Sequence, residues 1–298
     1  MKFNLQGFHN DNDIVDPSIK IVSVLGHVEI SKLFHCHGLV LCVTKDHPGL
    51  LMWNPYLGQT RLIQPMNSFS KDDKYAFGYD NNKGYHKILR GTYGRKVGYL
   101  WSEIYDCNSD SWRVLDVNSD WAMISYLSIV SLKGNTYFLA QAKNGSLHCF
   151  DFTAERFGPL LPLPFQAYVS GSGSVALSCV TDEQLGFLYR PNDETIVIQI
   201  TTKIGPDSVS WSKFLEVGTK PLPCQSWTFF TDEAEKKVLI VSSFRNSRKT
   251  CCYQTAYIIG EDGYFKSVDT GETRISEKVM YYNPVVFSSY VPSLVQLK

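Results

Sequence analysis

Three stretches decide the reading of this chain: LLMWNPYLGQTRLI (50–63), SEIYDCNSDSWRVL (102–115) and SLHCFDFTAERFGP (146–159). Each alternates apolar residues, reaches an aromatic, places Asn or Asp next, makes a short polar turn and re-enters with an aromatic or Arg. The anchors are Trp53-Asn54, Tyr105-Asp106 and Phe150-Asp151, spaced by about fifty residues. The physics of such a unit is simple. The aromatic packs between neighbouring sheets, the Asx side chain folds onto the turn backbone, and the next strand returns as an outer hairpin partner. Weaker echoes follow at 197–211 and 256–265.

Working outward, period-2 alternation recurs along the chain and 3.6-period apolar stripes hardly appear. Expected strands include 32–43, 50–54, 75–79, 85–91, 100–106, 112–117, 129–132, 135–141 and 146–151. They continue at 174–181, 184–189, 195–202, 208–217, 227–231, 237–242, 255–259 and 264–268. Turn signals separate them, among them Asn81–Gly84, Lys133-Gly134, Asn144-Gly145, Arg190–Asp193 and Asp262-Gly263. A repeat of this length with short strands makes a four-stranded propeller blade. The expected fold is therefore all-β and β-propeller-like, with few or no helices. Dividing 298 residues by the repeat gives about six blades, with five to seven in range. The apolar segments 19–25 and 285–297 are expected to meet in one shared blade and close the ring. Two stacked β-sandwich domains are the alternative. Residues 1–18 form an N-terminal extension, and 19–298 form the propeller.

Composition narrows the function. At 44% hydrophobic and 19% charged residues, the chain buries a core rather than remaining disordered. Lys plus Arg and Asp plus Glu both number 29, a net charge of 0. That balance argues against nucleic acid and against an anionic membrane surface. No apolar run is long enough for a membrane helix, and the first twenty residues lack a secretory h-region. Eight cysteines sit largely within apolar alternations (LVLCV, LHCF, ALSCV). They read as reduced thiols, which points to the cytosol or nucleus.

Few residues suggest chemistry. His35, Cys36, His37 and Cys42 have zinc-ligand identities. On a regular strand, however, His35 and His37 share one face while Cys36 and Cys42 share the other, so no single tetrahedral site is expected. Cys251-Cys252 reads as a vicinal pair pointing apart. Ser170–Ser174 reads as an inter-blade linker. Asn144-Gly145-Ser146 fits the glycosylation pattern but reads as a hairpin turn. Asp72-Asp73 and Asp232-Glu233 read as turn carboxylates rather than a glycosidase pair. Arg95-Lys96 and 245–249 read as solvated loops rather than a nucleic-acid site. No cofactor or metal is implied.

What remains is recognition by loops carried on rigid blades. Three expected loops hold residue types that dominate interfaces. They are 92–101 with Tyr93, Arg95, Tyr99 and Trp101, 118–126 with Trp121 and Tyr126, and 244–253 with Arg245 and Arg248. Trp53, Tyr105, Phe150, Trp112 and Trp211 are assigned to the core.

VEISKLFHCHGLVLCVTKD (28–46), LLMWNPYLGQTRLIQP (50–65), YAFGYDNNKGYHKILR (75–90) and EIYDCNSDSWRVLDV (103–117) also carry a resemblance. So do SLKGNTYFLAQ (131–141), LHCFDFTAERFGPLLPLPF (147–165) and VSWSKFLEV (209–217). In this order the sequence resembles the plant F-box-associated interaction domain of type 1, across roughly residues 15–290. The resemblance implies a non-enzymatic, propeller-like module that holds a target protein, while an F-box tethers the Skp adaptor and cullin of a ubiquitin ligase. The family's F-box is a leucine-rich helical segment with a Leu-Pro start. Residues 1–20 show no such stripe, so adaptor binding is expected only if an F-box is supplied elsewhere. A carbohydrate-binding or glycoside-processing propeller, and a non-functional truncated family product, are the alternatives.

Overall fold

The computed structural model describes residues 30–44, 49–70, 73–94, 98–115, 126–140, 145–164, 175–192, 194–218, 226–232, 234, 236–245, 251–274 and 293–297. Among them every element is a strand. The first blade comprises β1 (Ile30–Cys36), β2 (Leu39–Thr44), β3 (Leu50–Asn54) and β4 (Gln59–Ile63). The second comprises β5 (Lys74–Asp80), β6 (Tyr85–Gly94), β7 (Gly98–Asp106) and β8 (Ser111–Val114). The third comprises β9 (Tyr126–Leu132), β10 (Asn135–Ala140), β11 (Ser146–Asp151) and β12 (Arg156–Leu161). The fourth comprises β13 (Val175–Cys179), β14 (Leu185–Asn192), β15 (Thr195–Ile204) and β16 (Val209–Gly218). The fifth comprises β17 (Ser226–Asp232), β18 (Lys237–Arg245), β19 (Cys251–Gly260) and β20 (Phe265–Arg274). Each blade is an antiparallel meander in chain order. The first strands lie innermost: β1 packs on β5, β5 on β9, β9 on β13 and β13 on β17, and β1 also reaches β9.

Five blades are thus described, within the range the repeat predicts. The proposed closing segment 19–25 lies outside the described residues, as do 285–292. Of that region, residues 293–297 meet the first blade. Asn54 Nδ2 donates to Ser293 O at 2.9 Å and to Val295 O at 2.8 Å. The Leu297 amide donates to Gln59 Oε1 at 2.9 Å.

The three anchors are equivalent. Asn54, Asp106 and Asp151 each end the third strand of their blade. Each Oδ1 accepts two turn amides: Tyr56 and Leu57 for Asn54, Asn108 and Ser109 for Asp106, Thr153 and Ala154 for Asp151. The preceding aromatic is buried in each case, on the face opposite the following blade. Tyr105 packs with first-blade residues such as Phe34 and Met52, and Phe150 with second-blade residues such as Leu89 and Ile104. Trp53 packs with Val40 and Cys42, on the face of its own blade turned away from the second. The echoes in the fourth and fifth blades are weak because those third strands end at Ile204 and Gly260, without an Asx cap.

Two further layers complete the core, one between the third and fourth blades and one between the fourth and fifth. Outer-strand tryptophans add links between blades. Half-buried Trp112 donates its indole N–H to Gln64 O, and Trp211 donates to Pro162 O, each acceptor just beyond the outer strand of the preceding blade.

Two expectations are corrected. The segment 32–43 is not one strand but the β1–β2 hairpin, with Cys36 opposite Leu39. His37 and Gly38 have φ of 44° and 76°, the two left-handed residues a tight hairpin turn needs; His in the first position concealed the signal. The segment 92–101 is not a loop, because β6 and β7 continue pairing through Tyr93 and Tyr99 to Gly94 and Gly98.

Blade spacing is set by close approaches. A Cβ placed on Gly78 of β5 would lie 2.0 Å from Phe152 Cδ2 and 2.5 Å from Gly134 O. Both neighbours belong to the third blade, and the carbonyl is backbone that cannot rotate away. Gly78→Ala should therefore destabilise the fold by about 3 kcal/mol through overpacking. Chemical denaturation followed by tryptophan fluorescence checks this, and a wild-type midpoint would contradict the close packing.

Candidate functional site

In an antiparallel four-stranded blade, the first and third turns leave at one rim. The second turn and the link to the next blade leave at the other. Here the first rim carries only short turns such as 37–38, 55–58, 107–110, 133–134 and 152–155. The opposite rim carries the long connections 64–73, 115–125, 162–174 and 219–225, together with 45–49, 95–97, 141–145 and 246–250. That rim is the candidate partner-binding face.

The residues singled out from sequence fall on this rim by topology. Tyr93 and Tyr99 are cross-strand partners near the tip of the β6–β7 hairpin, and Trp101 pairs with Gly91 one step below. Tyr126 opens β9 opposite Ala140. Arg245 ends β18 opposite Cys252. Arg95, Trp121 and Arg248 lie outside the described residues, within connections 95–97, 115–125 and 246–250. The second and fifth blades thus deliver their hairpins to the same side of the ring.

One connection on this rim is tied down in detail. Arg90 of β6 is buried and holds Asp73 Oδ2 at 2.7 Å, Glu103 Oε2 at 2.9 Å and Ser68 O at 2.9 Å. Its guanidinium lies 5.1 Å from the centre of the Phe69 ring. Asp73 also accepts from the Ser70 amide and the Tyr75 hydroxyl. Asp73 is the turn carboxylate the sequence suggests, exchanging bonds with Ser70, and it is also the buried partner of Arg90 that fixes connection 64–73 to the second blade. Asp232 does cap a turn, accepting from the Ala234 amide.

Sequence reasoning missed Lys32 and Lys74. They stand in the N-terminal parts of β1 and β5, the two neighbouring innermost strands, at the end of the ring that faces the long connections. Both are half-buried. Burial first, then the Lys74 charge and a hydrogen bond between the two side chains, lower the Lys32 pKa to about 8. Each lysine is visible singly, Lys32 within ISKLFHC and Lys74 at the head of KYAFGYD, but nothing local in the sequence shows that the two are neighbours.

The His–Cys constellation does not assemble. His37 leaves the strand in the turn, and the two-residue turn reverses facing parity. Cys36 therefore faces the second blade while Cys42 faces away, correcting the expectation of a shared face. Burial pushes the Cys42 thiol up to about 12. His35 Nε2 accepts from the Gly38 amide at 3.1 Å, and His86 Nε2 bonds Cys36 O at 3.0 Å. Among the described residues no group of three or more His, Cys, Asp or Glu is placed to hold a metal ion. No helix among them is long and apolar enough to cross a membrane. Segments 170–174 and Asn144 lie outside the described residues, and Cys251 and Cys252 lie on β19.

Comparison with known proteins follows this geometry. The model of the F-box associated beta propeller domain matches residues 1–297. An F-box/kelch-repeat protein of Arabidopsis thaliana is 50% identical, the match covering 100% of this chain and 80% of the relative. An F-box protein of the same organism is 49% identical, with 100% and 83% covered. Among solved structures, TolB from Acinetobacter baumannii aligns with a TM-score of 0.47 at 11% identity, covering 83% of this chain and 56% of that one.

The interior imidazoles make a further expectation. His35, His86 and His148 are each held down to about 4, first by burial. Unfolded, they take up protons near pH 6.5. Their contribution is complete above that value and is lost as pH falls toward 4. Each fully buried ring should account for on the order of 2–3 kcal/mol. Urea unfolding free energies at about pH 7.5 and about pH 4.5 should differ accordingly. The double variant His86→Gln, His148→Gln should show a shallower slope, and an unchanged slope would refute the assignment.

Proposed function

The chain belongs to the F-box associated beta propeller family, and from that premise we propose that it is the target-holding module of a Skp–cullin–F-box ubiquitin-ligase receptor. The propeller supplies recognition, and the ligase supplies the chemistry. The observation that carries this reading is the asymmetry of the ring. Long connections with Tyr, Trp and Arg gather on one rim, while the other is closed by short interlocked turns. Affinity comes from a few buried aromatic and Arg anchors contributed by Tyr93, Arg95, Tyr99, Trp101, Trp121, Tyr126, Arg245 and Arg248. Loops on a rigid scaffold vary without disturbing the core, which suits a receptor module that must accept its own target.

Adaptor binding is assigned to an F-box and not to the blades. The setting is the cytosol or nucleus. Cys36, Cys42, Cys107, Cys149 and Cys179 are free thiols, which suits a reducing compartment. A carbohydrate-directed propeller is the second reading. It requires convergent carboxylates for glycoside processing, or aromatic platforms at the ring centre for binding; the buried pair Asp73 and Glu103 is committed to Arg90.

The test is capture from plant extract with the tagged chain. The chain should retain a reproducible target protein and leave the Skp adaptor behind, whereas fusion to an F-box should bring the adaptor down. Trp101→Ala or Tyr99→Ala should weaken target capture by about thirtyfold while the unfolding transition stays cooperative. Robust adaptor capture by the chain alone, or capture unaffected by every rim variant, would overturn the reading.

A further inference from the structure

Buried ion clusters return in attraction about what they cost in desolvation, and a well-packed apolar set of the same volume serves a core as well. What the clasp around Arg90 does fix is the course of connection 64–73. Arg90 holds it at Ser68 O and at Asp73, with Glu103 of β7 completing the clasp. Trp112 of β8 holds it at Gln64 O, its indole N–H donating at 2.7 Å. Phe69 is turned inward, edge-on to Tyr75 and Trp112, with ring centres 6.2 Å and 6.3 Å away. Between these fixed points stand Pro65, Met66 and Asn67. Met66 is 45% exposed and, among the described residues, is the one large hydrophobic exposed in a connection on the long rim. On the other side of the clasp Val114, 67% exposed, ends β8 opposite Glu103. Two positions after Trp112, it shares the Trp112 face of that strand.

We propose that residues 64–68 form a preorganised binding element, in which Met66, flanked by Val114, is the apolar anchor that enters a nonpolar pocket of a folded target protein, and Trp112 and Arg90 are its positioning residues. This rests on the receptor reading given above and names a contact surface for it that the sequence did not single out. The physical argument is one of entropy. A loop tied at Gln64 and again at Ser68 has few conformations left to lose, so the cost of ordering it is met on folding and not on binding. An unbranched, polarisable thioether then fills an irregular apolar cavity well. The kind of partner follows from the same geometry. Met66 stands out from the connection, so it fills a pocket and does not offer one. The charges of Arg90, Asp73 and Glu103 beneath it are engaged with one another, so the contribution of this element is apolar and insensitive to salt.

The experiment places a photoreactive diazirine amino acid at position 66 of the full chain. Position 57 on the short-turn rim and position 99 in the β6–β7 hairpin serve as references. After irradiation in plant extract, the attached proteins are identified by mass spectrometry, and the one attached at position 66 is purified for calorimetry. Position 66 should attach a protein that position 57 does not. Met66→Asp should bind the purified protein at least about tenfold more weakly, and Met66→Leu should stay within about threefold of wild type. The ratio between Met66→Ala and wild type should be the same at low and high salt. Trp112→Phe keeps an aromatic ring but removes the donor to Gln64 O, and should weaken binding about fivefold. That loss should vanish in a Met66→Ala background, because the donor acts through the connection. A loss that persists there overturns the positioning role, and equal binding by Met66→Asp and wild type overturns the element.

The reference positions separate this inference from the reading beneath it. If position 99 attaches a protein whose binding no change within residues 64–68 affects, the Met66 element falls and the receptor reading stands. If neither position 66 nor position 99 attaches a protein that the purified chain binds, the receptor reading falls and the element with it. A linear peptide carrying the attached residue should bind far more weakly than the folded target, and equal binding by that peptide overturns the pocket.

Discussion

Everything in this ring depends on the distance between neighbouring sheets, and that distance is fixed where an aromatic ring meets the preceding blade. Tyr105 and Phe150 are almost wholly buried, at 1% and 0% exposure, and each stands at the end of a third strand. The Asp that follows keeps the chain from continuing in that direction, because its carboxylate takes the two amides that would otherwise be left unpaired in the turn. One residue thus fixes the spacing and the next ends the strand. Glycines answer from the facing strand. Gly78 admits Phe152, and Gly186 admits Phe229 of the fifth blade. The ring is rigid because large side chains and missing side chains face each other in register.

Asn at position 54, where the other anchors have Asp, has a structural use. Its Oδ1 does what Asp106 and Asp151 do, accepting turn amides. Its Nδ2 gives what a carboxylate cannot, two donors' worth of hydrogen bonding to the carbonyls of Ser293 and Val295. The first blade therefore holds the last described residues of the chain by the same residue that terminates its third strand. The second blade has a different burden. Lys87 of β6 is 1% exposed and reaches Asp80 at 2.5 Å, Glu155 at 2.7 Å and Phe152 O at 3.1 Å. Burial opposes its charge, yet Asp80 and Glu155 outweigh burial and raise its pKa. This ion cluster joins a turn of the second blade to a turn of the third. Such a pair adds little net stability but is costly to break from one side, so it specifies geometry more than it strengthens the fold.

The sequence made the repeat readable because its strongest signals are local. Aromatic-Asx followed by a polar turn lies within a few residues, and strands 50–54 and 146–151 match β3 and β11 to the residue. The errors arose where structure depended on parity or on partners. The His37-Gly38 turn lacks Asn or Asp, so two strands read as one, and the facing of Cys42 was inverted with them. The β6–β7 hairpin runs past Gly91 through a register shift, which the Gly-Thr-Tyr-Gly composition disguised as a loop. The lysine pair was invisible for a deeper reason. Lys32 and Lys74 are 42 positions apart in the chain, and only the stacking of β1 on β5 brings them together. Charge totals average such a pair away, since 29 cations balance 29 anions.

The two rims differ in what their backbone groups are already doing. On the short-turn rim, the Tyr79 amide donates to Gly134 O at 2.8 Å, Asn81 Nδ2 to Lys133 O at 3.2 Å, and the Asn81 amide to Thr153 Oγ1 at 3.0 Å. Lys133 pairs with Glu183 of the fourth blade. These contacts cross from blade to blade, so a change in one turn shifts its neighbours, and a partner docking there competes with bonds that hold the ring. Connections on the other rim span blades whose positions are set by the core layers beneath them. Among the described residues of that rim, the ones tied into the blades include those Arg90 grips and the Gln64 and Pro162 carbonyls that hold Trp112 and Trp211. On the receptor reading proposed above, a chain that keeps one scaffold and varies its target has a physical reason to put recognition on the rim where structure and recognition draw on different residues.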